Sequence, residues 1–266
     1  MSEKKIGFIG CGNMAKAIIG SIQRGSFKGI INVFDMNPDA CKPVAADNVF
    51  FKENADEIIT DSDIIFLAVK PQHIADVFGK ITANLSGKLF VTILAGVSTS
   101  YIRLLAKKDD LKVVRVMPNT PLLVGEGASA LCKTDNVTDE EFEVVFNIFS
   151  DSGLAVEITE DKMNEIISIN GSSPAYLFLF AQAVCEYAKS VCIPEDVALK
   201  LFSQTLVGSA KMMMESGKTP EELKIMVSSP GGTTLAALDV FRKNGFTDSV
   251  KEAMDACTKR AYELGK

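Results

Sequence analysis

The sequence predicts an α/β protein in two parts, strands alternating with helices over residues 1–159 and helices alone over residues 160–266. Three observations predict it. Short apolar runs such as Ile64-Ile65-Phe66-Leu67-Ala68-Val69 read as strands buried on both faces, and they recur between segments of helical spacing, the pattern of a doubly wound parallel sheet. Beyond about residue 160 the helical spacing continues and the strands stop. Finally, the first run, Ile6-Gly7-Phe8-Ile9, leads through Gly10-Cys11-Gly12 into a helix with Met14, Ala17, Ile18, Ser21 and Ile22 on one face, which is how a Rossmann-like domain begins.

Each part of that opening has a separate task. Gly10 permits the tight turn, Gly12 lets the backbone approach a diphosphate, and small Ala15 lets helix and strand pack closely, with phosphate at the helix N-terminus. The next strand, 30–34, ends in Asp35, 20 residues beyond Ala15, where a carboxylate can hydrogen-bond an adenosine ribose. A helix over 38–46 with Pro38 at its first position, a strand over 49–51 and a helix over 55–60 follow, with Asn54 a further candidate contact. The strand at 64–69 runs into Lys70-Pro71, so Ala68, Val69, Lys70 and Pro71 belong at the carboxyl end of a parallel strand, beside the adenosine half of a dinucleotide. A helix over 72–85, a strand over 89–94, the turn Ala95-Gly96-Val97, a helix over 99–106 and a strand over 112–117 continue the alternation. Pro118-Asn119-Thr120-Pro121 closes that strand, and strands over 128–132 and 154–158 flank a helix over 139–149. Helices are expected at 161–169, 175–191, 195–215, 220–227, 233–243 and 247–264.

Composition narrows the class. The chain has 266 residues, 47% of them apolar and 23% charged, with a net charge of -6, which speaks against nucleic acid or an anionic membrane as partner. Six cysteines without a Cys-x-x-Cys pair, and a single histidine, speak against a metal site and suit reduced, core-filling thiols. The polar start shows no signal peptide and no apolar stretch is long enough to span a bilayer, so the cytoplasm is the expected location.

In the helical part, the segments around Tyr176-Leu177-Phe178-Leu179-Phe180 and Met212-Met213-Met214 are apolar nearly all round, which implies a subunit interface. Between two of its helices lies Ser228-Ser229-Pro230-Gly231-Gly232-Thr233-Thr234. Such a loop offers backbone N–H groups and hydroxyls to a small carboxylate; it also reads as an ordinary turn with Thr233 capping the next helix.

Together, Gly10-Cys11-Gly12-Asn13-Met14-Ala15, Ala68-Val69-Lys70-Pro71, Arg115-Val116-Met117-Pro118-Asn119-Thr120-Pro121, Gly171-Ser172-Ser173-Pro174-Ala175-Tyr176 and Ser229-Pro230-Gly231-Gly232-Thr233-Thr234 resemble the pyrroline-5-carboxylate reductases over essentially the whole chain. The resemblance implies reduction of a cyclic imine acid to proline by NADH or NADPH, with the helical part pairing two subunits, larger rings of dimers being frequent, and the site lying between one subunit's cofactor domain and its partner's helical domain. Thr234 would then hydrogen-bond the ring nitrogen, Ser229, Gly231, Gly232 and Thr233 would hold the carboxylate, and the nicotinamide would lie near Ala95-Gly96 and Asn119-Thr120. Gly10, Gly12, Asn13, Met14, Asp35, Asn37 and Asn54 complete the expected cofactor site. Asp35 repels a 2′-phosphate and favours NADH, which Asn37 softens. His73 is expected to face solvent or cap its helix, and Tyr176 to serve the interface. Two positions depart from the family pattern: Ser173 stands where glycine is usual, and Ile225 where an acid commonly follows the lysine. The rivals are a β-hydroxyacid dehydrogenase-like oxidoreductase, which would need a lysine soon after Gly171 where none occurs before Lys189, and a non-catalytic nucleotide-binding regulator.

Overall fold

The computed structural model describes residues 4–25 and 27–265. Among the described residues eight strands, β1 (Ile6–Ile9), β2 (Ile31–Phe34), β3 (Val49–Phe51), β4 (Ile64–Leu67), β5 (Leu89–Thr92), β6 (Lys112–Met117), β7 (Gly127–Lys133) and β8 (Gly153–Glu157), form one sheet in the order β3-β2-β1-β4-β5-β6-β7-β8. All neighbours are parallel except β6 and β7. The apolar runs alternate between two cores. Phe8, Phe66 and Val91 face the side of α1 (Asn13–Arg24) and α5 (Asp139–Ser150), while Ile9, Leu67 and Phe90 face that of α2 (Ala55–Asp61), α3 (Ile74–Lys80) and α4 (Thr99–Ala106). Phe8 and Phe66 stack with ring centroids 4.6 Å apart across the β1/β4 pair.

That pair is where the strand order reverses, and its register decides where a ligand can go. Ile9 lies beside Phe34 on one side and Leu67 on the other, so the residues that follow, Gly10, Asp35 and Ala68, emerge together from one edge of the sheet.

Three expected helices come out differently. Over 38–46 the chain makes two 3-10 turns, Pro38–Ala40 and Lys42–Val44, because Pro43 has no N–H to donate and its ring would meet the Asp39 carbonyl in an α-helix. The helix expected over 72–85 is a 3-10 turn, Pro71–His73, followed by α3, which stops at Lys80. Beyond it Asp56 draws the chain aside, accepting from Thr82 N (2.9 Å), Thr82 Oγ1 (2.5 Å) and Ala83 N (3.0 Å). Over 161–169 a 3-10 turn, Glu160–Lys162, is followed by a π-helical turn, Ile167–Gly171.

The chain divides into two compact units, one running to Pro174 and resuming at Ala256, the other Ala175–Asp255. Residues just past 159 pack against the first unit: Glu160 accepts from Thr99 N at 2.6 Å and Oγ1 at 2.5 Å, and Arg115 donates to Asn164 at 2.6 Å. The second unit contains most of α6 (Ser173–Ser190), then α7 (Glu195–Glu215), α8 (Pro220–Met226), α9 (Thr233–Lys243) and the first half of α10 (Phe246–Leu264). Phe180, Phe202, Phe241 and Phe246 cluster within it, yet its only buried side chains are Ala188 and Ala198. Leu177, Phe178, Leu179 and Met214 are exposed, the last three by about two thirds or more. A helical unit with so little interior must cover its apolar faces against something else. Among the described residues no helix is long and apolar enough to cross a membrane.

Candidate active site

The glycine loop is built by close backbone approach. Gly10 has φ +100°, and a Cβ there would lie 2.6 Å from the Ala68 carbonyl oxygen, so only glycine fits where β1 and β4 end side by side. Gly12, with φ -71°, meets nothing within 4 Å. It is the N-cap of α1 and carries no capping side chain, leaving the first-turn N–H groups, those of Asn13 and Met14 among them, without intrahelical partners.

Beside this loop is a cavity of about 730 Å³. Of the residues expected at the cofactor, Gly10, Gly12, Asp35, Asn54, Ala68, Val69 and Lys70 line it, together with Ile9, Phe34, Met36 and Val77, whose apolar surfaces suit a flat base. Asp35 is held in place by its neighbours. Cys11 N donates to its Oδ2 at 2.8 Å and Asn37 N to its Oδ1 at 2.9 Å, which fixes the carboxylate at the cavity wall with lone pairs to spare. Asn54 caps α2, accepting from Glu57 N at 2.9 Å. The loop, the open α1 N-terminus, the cavity and Asp35 together fit a dinucleotide.

The remaining expected residues are not among those that line this cavity. Asn13 is exposed and Met14 packs on the core, Asn37 accepts from Asp39 N at 3.2 Å, and Pro71 opens the 3-10 turn before α3. At the far end of the crevice Gly96 has φ +81°, and a Cβ there would sit 2.2 Å from the Ala261 carbonyl oxygen, so this glycine serves the seat of the last helix. Ala95 is half-buried in the same turn. Asn119 spends its amide on the protein, donating to Asn170 Oδ1 at 3.0 Å and accepting from Ala128 N at 2.9 Å, while its backbone carbonyl accepts from Leu122 N at 3.3 Å.

Sequence reasoning missed the α3 wall. His73, exposed and making no capping bond, lines the cavity with Val77 and Lys80; the spacing from His73 to Val77 on one helical face carried that signal. It also missed Asn170, whose contacts are distant in sequence. Ser173, standing where glycine is usual, does not take a positive φ and donates its hydroxyl to Asn170 O at 3.2 Å, while Ile225 is exposed on α8. Tyr176 is half-buried in the first turns of α6.

In the second unit, Ser229-Pro230-Gly231-Gly232 forms a tight turn, with Gly232 N donating to Ser229 O at 2.9 Å and Gly231 at φ +71°. The cap of α9 is Gly232, not Thr233, and no side chain bonds the helix start. Asn54, Ser98, Thr138 and Thr219 cap α2, α4, α5 and α8 through their side chains; α1, α3, α7 and α9 have no side-chain cap, and of these α1 and α9 begin at a glycine. Each of the two anticipated anion loops therefore leaves its helix N-terminus open for a ligand. Thr234 is half-buried and Ser229, Gly231 and Thr233 are exposed.

Of the six thiols, Cys11, Cys41 and Cys132 are buried packing groups, whereas Cys192 is exposed. Burial, with Cys41 adjacent, pushes Cys11 up to about 12, and burial does the same for Cys132 beside Glu160.

A family model described as pyrroline-5-carboxylate reductase dimerisation matches residues 160–264, and one described as NADP oxidoreductase, coenzyme F420-dependent, matches residues 5–96. The pyrroline-5-carboxylate reductase of Escherichia coli (strain K12) is 41% identical over 270 residues, 99% of either chain. That of Methanosarcina acetivorans is 35% identical over the full length of both. Among solved structures, the Plasmodium falciparum pyrroline carboxylate reductase with NADP bound matches with a TM-score of 0.91 at 29% identity, all of each chain being covered.

Proposed function

The chain belongs to the pyrroline-5-carboxylate reductase family and reduces 1-pyrroline-5-carboxylate to L-proline with NAD(P)H, the last step of proline synthesis; we propose that Thr234 is the residue that fixes the imine for this reaction. When bound, the nicotinamide supplies the hydride. A protonated imine is already electrophilic, so the protein's task is orientation more than acid catalysis. The observation that carries the assignment is the open start of α9, where the tight turn at Ser229 and the glycine cap leave backbone donors for a carboxylate. Ser229, Gly231, Gly232 and Thr233 hold that carboxylate, and Thr234 hydrogen-bonds the ring nitrogen. In the first unit Gly10, Gly12, Asp35 and Asn54, with Ala68 to Lys70, hold the adenosine and diphosphate half, and backbone at Ala95-Gly96 and Asn119-Thr120 borders the nicotinamide.

Further readings rest on the same base. Residues 160–266 serve as the dimerisation and substrate-binding part, a homodimer covers the exposed α6 and α7 faces, and dimers assemble into larger rings. Asp35 gives preference to NADH. A net charge of -6 leaves nucleic acid without a surface, and the enzyme works in the cytoplasm. The test is NADH consumption followed by absorbance with pyrroline-5-carboxylate as substrate. Thr234→Ala is expected to lower kcat at least about tenfold with NADH affinity little changed. Unimpaired turnover in that variant removes Thr234 from the mechanism, and cofactor binding without any wild-type turnover favours the regulator.

A further inference from the structure

We propose that Asn170 is a positioning residue for hydride transfer, acting through Asn119. The inference rests on the reading that the nicotinamide lies by Ala95 and Asn119. Because β1, β4, β5 and β6 are successive parallel neighbours, the turns that follow them share one edge of the sheet. A dinucleotide anchored at Asp35 therefore reaches the β6 end with its other half.

At that end the backbone orders itself through one short 3-10 turn, Thr120–Val124, with Leu122 N donating to Asn119 O at 3.3 Å. Pro118 and Pro121 have no N–H, β6 gives way to an antiparallel partner, and Thr120 is exposed. Asn170 ties together the strand ends on either side of that turn. The π-helical turn Ile167–Gly171, closed by Ser172 N donating to Ile167 O at 2.8 Å, places its amide between two strand ends. Its Nδ2 donates to Met117 O at 2.9 Å and to Ala128 O at 3.0 Å, and its Oδ1 accepts from Asn119 Nδ2 at 3.0 Å. Both donor hydrogens and the acceptor are thus in use. Asn119, only 8% exposed, passes the constraint on to Ala128 N. One side chain ties the end of β6, the start of β7 and the loop between them into a single rigid wall.

The test compares Asn170→Ala, Asn119→Ala and the double variant. For Asn170→Ala, kcat is expected to fall about tenfold or more, the isotope effect with C4-deuterated NADH to rise as hydride transfer becomes limiting, and affinity for ADP-ribose, which lacks the nicotinamide, to stay within about twofold of wild type. The double variant should lose no more than the worse single one, since both break one linkage. A role confined to stability would lower Tm and leave the isotope effect where it was, and that result overturns the proposal, as does additive loss in the double variant. Should Asn170→Ala not fold, Asn170→Ser, which keeps one donor, carries the same readouts with an intermediate loss. Ala95→Leu checks the underlying reading: it should weaken NADH and spare ADP-ribose. If it spares both, the nicotinamide placement fails; if it behaves as expected while a folded Asn170→Ala is normal, only Asn170 is refuted.

Discussion

Replacing Gly10 and Gly12 in turn by alanine separates what glycine does for the fold from what it does for the ligand. At residue 10 an added Cβ would lie 2.6 Å from Ala68 O, 2.7 Å from Ala68 C and 2.9 Å from Val69 N, with φ at +100°. None of these atoms can yield cheaply, because Ala68 N donates to Ile9 O at 2.9 Å and Gly10 N to Phe34 O at 2.8 Å. The backbone angle costs about 1–3 kcal/mol, and the overlap adds about 1–3 kcal/mol. At about 2–4 °C per kcal/mol for a chain of this size, Tm should fall on the order of 10 °C. At residue 12 the same methyl meets nothing within 4 Å and φ is -71°, so the fold loses at most about 1 kcal/mol of capping. The methyl then stands where a diphosphate must approach, and NADH affinity should fall at least about tenfold, or 1.4 kcal/mol. Differential scanning calorimetry and fluorescence titration with NADH measure both quantities on both variants. A Gly10→Ala protein with wild-type Tm, or a Gly12→Ala protein with wild-type affinity, refutes the reasoning.

Asp35→Asn keeps an acceptor for the Cys11 or Asn37 N–H and removes the charge, so the NADPH/NADH ratio of kcat/KM should rise about tenfold or more; an unchanged ratio, or a wild type that already prefers NADPH, contradicts the assigned role. Burial pushes Asp56 up, but the hydrogen bonds from Thr82 Oγ1 and from the Ala83 and Thr82 N–H groups outweigh it and hold the carboxyl below 3.8. A depressed carboxyl contributes its stability in full above the unfolded value near 3.8 and loses it as pH falls through the lower folded value. Asp56→Ala should therefore be less stable than wild type in urea melts at pH 7, and the gap should close in strongly acidic buffer; a constant gap counts against the clamp. Cys11 and Cys132, both buried and pushed up to about 12, should escape iodoacetamide at pH 8 in the native protein and react in urea, as read by peptide mass spectrometry, whereas rapid native labelling would show the pair to be accessible.

The elements legible in the sequence are those whose signal is local. Buried parallel strands are continuous apolar runs, and β1, β6, α4, α7 and α9 keep the expected bounds because their caps or flanking turns lie next to them in the chain. The lining of the cavity beside the glycine loop was legible for the same reason, since Gly10, Gly12, Asp35 and Ala68 to Lys70 each follow a strand directly. The failures trace to partners far away. Asp56 ends α3 from 26 residues upstream, and Asn170 reaches Met117 and Ala128 across 53 and 42 residues, distances at which periodicity says nothing. Pro43 was the exception, a local signal against one continuous helix over 38–46 that a period count overrode.

We propose that the glycine loop of one subunit and Thr234 of its partner serve one reaction. Hybrid dimers test it most directly: Gly12→Asp subunits, unable to hold NADH, are co-assembled with Thr234→Ala subunits after joint unfolding and refolding. Random pairing makes about half the dimers mixed, and sharing across a two-fold dimer leaves each mixed dimer one intact site, so activity should return to about a quarter of wild type. Recovery no greater than the residual activity of the Thr234→Ala parent, with mixed dimers shown to have formed, would contradict it.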